Sequence, residues 1–372
     1  MQTNQIYNLV NSVTQQAFGN DALTAVDASG LVSLGNAVLS SAQNTENFLN
    51  VLCQRIGRTI YHYRAYRNKL RGIILESDME WGAILQKIDM ELPAAVADDA
   101  YDLVDGQSVD PWIIAKPSVS QKLFVGRNPY MFKITISRKT LKEAFLSESA
   151  MGSFITFVFG KIRNMIEASY EDLARLGLTT AIAEAAGGAQ EVKLCTLYAA
   201  ERGGTAPSEQ QFISTPACMN FAINKINLYR DYLTDMSSLY NDGSVETFTP
   251  YEDQRLTVLS SFERNLQTVS QYAAFHDQYV KFENTFDTIN FWQAAQSPDQ
   301  ISAKKLSDGT DVTLSNVIAV LHDRDAVGVY QQEEEVQTTG LNARGLYYNT
   351  FYHILKNMFL DTSENLLVFT LT

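Results

Sequence analysis

Four histidines, His62, His276, His322 and His353, and three cysteines, Cys53, Cys195 and Cys218, have the most scope for nucleophilic, acid–base or metal chemistry in this 372-residue chain. A zinc site needs three or four convergent ligands, usually announced by spacings such as HExxH or paired CxxC. No histidine has that spacing or stands beside a cysteine, and the cysteines are odd in number and far apart. Neither a zinc knuckle nor a disulfide framework is expected. His322 with Asp323 and Asp325 is the one local cluster, and residues so close on a strand and turn rarely converge on one ion, so a hairpin turn is the plainer reading. A hydrolase working through His322 and Asp325 is kept as a rival, although no GxSxG elbow supports it. Phosphate-cradling GxxxxGK[ST] and GxGxxG loops are also missing, and Gly187-Gly188 and Gly203-Gly204 read as joints. The run Glu333-Glu334-Glu335 reads as a solvated charge run rather than a cation site. No catalytic residue, metal ligand or cofactor is therefore assigned.

The composition points towards contacts instead. Lys plus Arg number 29 against 42 Asp plus Glu, a net charge of −13 that argues against a dedicated nucleic-acid binder. Apolar residues, at 45%, suffice for a core, while charged residues reach only 19%. The deficit is made up by Tyr, Phe, Asn, Gln, Ser and Thr, a trade typical of surfaces buried between subunits. The N-terminus has no basic n-region, and no apolar run approaches the roughly 18 residues of a membrane span, so a chain made in a reducing cytoplasm is expected. Its length exceeds what one core accommodates, which implies at least two packing units.

Residues 1–54 hold no Lys or Arg and few acids, with thin apolar punctuation at Ile6, Leu9, Val13, Leu31 and Leu34. Such a segment reads as an arm that drapes over a neighbour or forms short helices against one. The chain then changes sign in blocks. Residues 55–75 carry six bases, including Arg58, Arg64, Arg67 and Arg71, and no acid; residues 76–110 carry ten acids, including Asp98, Asp99 and Asp102, against Lys87 alone; residues 111–142 carry seven bases and no acid. Solvated faces are the plain alternative, but an extended excursion whose acidic limb meets basic limbs, its own or an adjacent copy's, is favoured because complementary fields fix register. Interleaved Arg and Tyr at 58–67 have the elements of a base-stacking surface, which the acidic block next door makes the weaker choice.

A strand at Phe132–Ile136 is entered from a turn at Arg127-Asn128-Pro129. From Ser149 the apolar period changes to that of an amphipathic helix of about 28 residues, about 42 Å long. Ser147 or Ser149 is its expected cap, and Gly177 is expected near its end. Residues 191–330 read as a separate α/β unit closing on two strands, 316–322 and 326–332, and the chain ends in an apolar strand. The layout is α+β.

The succession NVIAVLHDRDAVGVYQ (316–331), ARGLYYNTFYHI (343–354) and a terminal apolar strand resembles the major capsid proteins of small tailed podophages. LCQRIGRTI (52–60) and LFVGRNPYMFK leading to LKEAF and the long helix (123–176) look similar to further stretches of that family, in the same order. The resemblance implies the Hong Kong 97 phage capsid fold, with an N-terminal arm (1–54), a segment leading into the peripheral domain (55–75) and an extended loop (76–136). A peripheral domain with a long spine helix (137–190), an axial domain (191–330) and a C-terminal peripheral part (331–372) would follow. It places Arg127 and Asn128 in the extended loop, and Arg344 and Tyr347 where the chain re-enters the peripheral domain. With Arg58, Arg64, Arg67, Arg71, Asp98, Asp99 and Asp102, these are the expected inter-subunit contacts. It further implies hexameric and pentameric capsomers, a separate scaffolding protein, a portal protein, and double-stranded DNA enclosed without sequence-specific binding and without a membrane. The chain ends before the C-terminal immunoglobulin-like domain of some family members. A covalent crosslink through Lys116 or Lys122 is not expected. An encapsulin-like compartment shell, which shares the fold, is the nearest rival.

Overall fold

Side-chain caps start several of the helices in the computed structural model. It describes residues 3–19, 23–56, 69–75, 85–91, 116–126, 128–273 and 286–372, with 96, 98, 101, 104–106, 108–110, 112 and 114 between them. Helices α1 (Thr3–Phe18), α2 (Ala28–Val38) and α3 (Ala42–Ile56) make up the N-terminal segment. Asp27 starts α2 by accepting a hydrogen bond from the Gly30 amide at 2.7 Å. A 3-10 turn, Arg71–Ile73, leads into β1 (Ile74–Leu75), and β2 (Leu85–Glu91) pairs antiparallel with β3 (Ser118–Phe124). Strand β4 (Asn128–Ser137) runs into α4 (Arg138–Ala144) and α5 (Glu148–Ala185), capped by the hydroxyls of Ser137 and Ser147.

Next come β5 (Glu191–Lys193), α6 (Leu194–Arg202), α7 (Glu209–Ser214), α8 (Pro216–Tyr232), β6 (Gln254–Leu259), α9 (Ser260–Ala273) and β7 (Asp287–Ile289). A small hairpin, β8 (Ile301–Lys304) and β9 (Asp311–Leu314), precedes β10 (Val317–Asp323), β11 (Val327–Thr338), β12 (Tyr347–Leu360) and β13 (Leu366–Thr370). Two main sheets result, one ordered β1-β11-β12-β4 and the other β5-β13-β10-β6-β7. Every residue of β10 and β13 is buried, as expected for central strands covered on both faces.

Three apolar cores follow. The first joins the N-terminal helices (Val10, Leu31, Leu34, Phe48, Leu52) to the inner face of the four-stranded sheet (Ile136, Tyr348, Tyr352) and the start of α5 (Met151, Ile155). The second packs the rest of α5 (Leu173, Leu178, Ile182) between the two sheets, and the third fills the far face of the five-stranded sheet under α6, α7, α8 and α9. Helix α5 therefore serves two cores in turn.

Several expectations need correction. The long helix spans 38 residues rather than about 28, so it reaches about 57 Å. Ser147 is its cap, and Gly177 lies inside it, where a Cβ would come within 3.2 Å of Val327 Cγ1. Close approach of strand to helix, not termination, explains that glycine. The described part of residues 1–54 forms three helices that pack on their own chain's sheet rather than on a neighbour, because the sparse apolar positions recur at helical spacing. Residues 128–136, grouped with the extended loop by sequence, form the edge strand of the four-stranded sheet. Residues 331–372 do not form one unit, since β13 pairs with β10 and β5 in the other sheet. Among the described residues no helix is long and apolar enough to cross a membrane.

Candidate inter-subunit surface

The antiparallel β2–β3 hairpin has two faces of different chemistry. Its register sets Lys87 opposite Lys122, a like-charge pair that would weaken the hairpin if left alone. Asp361, 2% exposed on the turn after β12, resolves the conflict by accepting from Lys87 at 2.7 Å on one oxygen and from Lys122 at 2.8 Å on the other. Glu364 adds a bond to Lys87 at 2.5 Å, and Asp242 stands 3.8 Å from Lys122. Burial works to raise the Asp361 carboxyl, but the bonds from Lys122, Lys87 and Ser363 outweigh it and hold the group down at about 2. Burial alone would lower Lys87; Asp361 and Glu364 leave it raised. Phe124, at the same end of the hairpin, packs its ring 5.4 Å from that of Phe359, and its carbonyl accepts from Tyr330.

The opposite face presents large apolar side chains. Ile88, Met90, Val119 and Leu123 alternate with the anchoring residues and are 53–65% exposed. Beyond them Tyr101, Trp112 and Ile114 are 78–89% exposed. Large apolar side chains left exposed on β2, β3 and the loop between them are the mark of a contact surface.

Of the residues singled out by sequence, Arg58, Arg64, Arg67, Asp99, Asp102 and Arg127 lie outside the described residues. Arg71 opens the 3-10 turn before β1, and Asp98 is exposed on the loop. Asn128 starts β4 and donates to Asn357 Oδ1 at 3.2 Å. Arg344 lies in the turn between β11 and β12, where its amide and that of Gly345 donate to Asn342 Oδ1. Asn342 in turn donates to the Tyr347 hydroxyl at 3.2 Å. A Cβ on Gly345 would sit 2.4 Å from the Tyr347 ring, which explains why glycine stands in that motif. Tyr347 pairs with Ser137 and Lys356 with Asn128, so the Asn128 and Tyr347 ends of the β4–β12 ladder are about 30 Å apart. Among the described residues, Asn128 and the Arg344–Tyr347 turn therefore do not share one site. The Lys87, Lys122, Asp361, Asp242 and Glu364 cluster was not singled out as a unit in the sequence, because its carboxylates come from two distant turns. The sign alternation of the blocks flagged the lysines alone.

A second buried charge lies on the inner face of the four-stranded sheet. Lys356 is fully buried; its Nζ donates to Ser169 Oγ at 2.5 Å and sits 4.4 Å and 4.2 Å from the ring centres of Tyr130 and Tyr170. Burial pushes it down to about 8, with the Asp172 carboxylate opposing.

The hydrolase rival finds no support in the geometry. His322 is completely buried in β10, its Nδ1 lies 2.7 Å from the Asp323 carbonyl, and burial pushes it down to about 4. Asp323 Oδ1 accepts from the Asp325 amide at 2.8 Å, while the Asp325 carboxylate pairs with Arg324, which makes this the tight turn between β10 and β11. No group of His, Cys, Asp and Glu able to hold a metal ion occurs among the described residues. Cys53, Cys195 and Cys218 are buried free thiols.

Comparison with known proteins gives this architecture its family. The major capsid protein of Bacillus phage PZA is 22% identical over 368 residues, covering 98% of this chain and 72% of that one. A chain in the capsid structure of Staphylococcus phage Andhra superposes with a TM-score of 0.54 at 10% identity, over 84% of this chain and 87% of that one. A chain in the structure of the head fiber and inner core protein gp22 of native bacteriophage P68 gives 0.53 at 12% identity, with the same coverage of both chains. The fold is thus the α+β Hong Kong 97 type, with α5 as its long helix. The family described as Phi29-like phage major capsid protein matches residues 8–370, and this chain belongs to it.

Proposed function

We propose that this head-shell protein, a structural and non-enzymatic component of the virion, assembles by lapping its hairpin loop over an adjacent copy within hexameric and pentameric capsomers. The observation that carries this reading is the two-faced hairpin: one face clamped to its own body through Asp361, the other apolar and exposed along Ile88, Met90, Val119 and Leu123. Covering such a face is favourable at about 25 cal/mol per Å² of apolar area removed from water. A shell of quasi-equivalent copies can share this one contact while the loop adjusts to each position. The alternating charge blocks support the same reading, with Arg58, Arg64, Arg67 and Arg71 and the acids Asp98, Asp99 and Asp102 setting register between copies. Arg127, Asn128, Arg344 and Tyr347 belong to the same set of proposed contacts. A separate scaffolding protein guides closure, a portal occupies one vertex, and the chain's net charge of −13 suits a wall that does not grip packaged double-stranded DNA.

Negative-stain microscopy with light scattering, on protein expressed with and without the phage's candidate scaffolding protein, tests this reading. The native chain should give closed shells or capsomer rings. Ile88→Asp combined with Val119→Asp should leave the subunit's melting temperature unchanged and abolish those particles. Reversing Arg64, Arg67 and Arg71 to Glu should do the same. Normal shells from the hairpin variant would refute the lapping contact.

A further inference from the structure

The β2–β3 hairpin forms a two-stranded sheet of its own, so side chains rather than a shared ladder set its direction relative to the rest of the subunit. Two attachments of different chemistry do this. The first is neutral and lies where the hairpin runs into β4. Phe124 packs on Phe359 and its carbonyl accepts from the Tyr330 hydroxyl at 3.1 Å, while Asn357 donates to that same hydroxyl and accepts from Asn128. Gly126 lies directly over Asn357, where a Cβ would come within 2.2 Å of Oδ1. The second attachment is ionic: Lys87 and Lys122 on Asp361, Glu364 and Asp242. Lys122 stands roughly 13 Å of extended chain from Gly126, well out along the hairpin.

The acidic side of the cluster is assembled without help from the hairpin. Asp361 Oδ1 accepts from the Ser363 amide at 3.1 Å and hydroxyl at 2.7 Å, Asp242 Oδ2 from the Thr362 hydroxyl at 2.7 Å, and Glu364 Oε2 from the Thr247 hydroxyl at 3.3 Å. The Asp242 amide also donates to the Thr362 carbonyl at 2.9 Å, which joins the two turns. These bonds hold the three carboxylates in place whether or not the lysines are seated. The basic side is detachable, because both ammoniums end flexible stems and the side chains stay 28% and 37% exposed, within reach of solvent ions. Salt screens this attachment and leaves the neutral one at Phe124 and Asn357 intact.

We infer that the ionic cluster is a releasable latch that aims the hairpin before assembly, and that Val125-Gly126 is the pivot about which the hairpin turns when the latch opens. These two residues belong to neither β3 nor β4, so a turn there breaks no ladder. Because Lys87 and Lys122 stand opposite one another, the latch grips both strands at one level and resists twisting as well as swinging. Latched, the free subunit presents its apolar hairpin face already oriented, and docking does not have to order it. Opened, the hairpin takes other directions while the carboxylate seat keeps its own hydrogen bonds. This inference rests on the lapping contact proposed above and adds what aims it.

Spin labels on Gln121→Cys in the hairpin and Leu176→Cys on α5, both exposed positions, read the hairpin's direction in free subunits by pulsed electron resonance; the native cysteines are buried. At low salt the labelled chain should show one narrow distance distribution. Lys87→Gln combined with Lys122→Gln should widen it roughly twofold, and molar sodium chloride should widen that of the otherwise native chain to the same extent. The same glutamine pair should slow shell assembly about tenfold, and Lys87→Arg with Lys122→Arg should restore both width and rate. Should the glutamine variant fail to fold, the salt series on the native lysines carries the test. A distribution that stays narrow without the lysines or in high salt would overturn the latch and leave the lapping contact intact. A loosened hairpin that assembles at the native rate would overturn its part in assembly. Failure of the lapping contact itself would show in the Ile88→Asp, Val119→Asp shells and not in these distances.

Discussion

Asp361 and Lys356 contribute to the pH dependence of the subunit with opposite signs. The Asp361 carboxyl, held at about 2 against an ordinary 3.8, stabilises the folded chain fully above about pH 4 and loses that contribution as pH falls towards 2. The difference corresponds to about 2 kcal/mol. Asp361→Asn should therefore cost about 2 kcal/mol at pH 7 and flatten the acid limb of stability between pH 4 and 2, as read from urea unfolding midpoints. Lys356 behaves the other way. Below about pH 8 it is protonated in folded and unfolded chains alike, so its burial cost is present in full; between about 8 and 10.5 the folded chain has lost a proton that the unfolded chain retains, and stability climbs with pH. Lys356→Met should raise stability at pH 7 by about 1–4 kcal/mol, in line with buried charges replaced by apolar groups. The gain should shrink by pH 10 when unfolding is compared at the two values. A variant less stable than the native chain at pH 7 would show that the tyrosine cage and Ser169 more than offset burial.

At the scale of elements, what the sequence made legible was local. The start of α5 at Ser147, the turn at Asp323-Arg324-Asp325 and the strands on either side follow from capping and alternation, which neighbours in sequence decide. Ser147→Ala should cost about 1 kcal/mol, measured by thermal unfolding, because an amide of the first helical turn loses its partner. The misplaced end of α5 has a physical cause: Gly177 signals termination only when nothing packs against it, and here Val327 does. The hairpin anchor was illegible for a related reason, since Asp361 and Lys122 meet across 239 residues and no local pattern announces such a pair. Of the expected contacts, the turn at Arg344–Tyr347 was legible as a motif because Gly345 and Asn342 shape it locally.

On the scale of the whole molecule, the main revision concerns residues 1–54. Their composition suggested an arm draped over a neighbour or forming short helices against one, yet Val10, Val13, Leu31, Leu34, Phe48, Leu49 and Leu52 are at most 1% exposed within a core shared with their own chain's sheet and α5. A chain beginning at residue 55 should aggregate or lose cooperative unfolding, checked by size-exclusion chromatography and calorimetry, since its sheet would expose the inner faces of Ile136, Tyr348 and Tyr352 to water. A soluble, cooperatively folded product would restore the view of the segment as a strap for a neighbour.

Helix α5 gives its first half to one core and its second half to another, so the two sheets are bolted to a single unbroken rod. Each copy is in consequence a stiff tile, and under the proposed lapping contact differences in tilt between a flat facet and a sharp vertex fall on the hairpins. Internal pressure would stretch those ties before it bent the tiles, and a burst head would part along tile borders, leaving fragments with intact subunits.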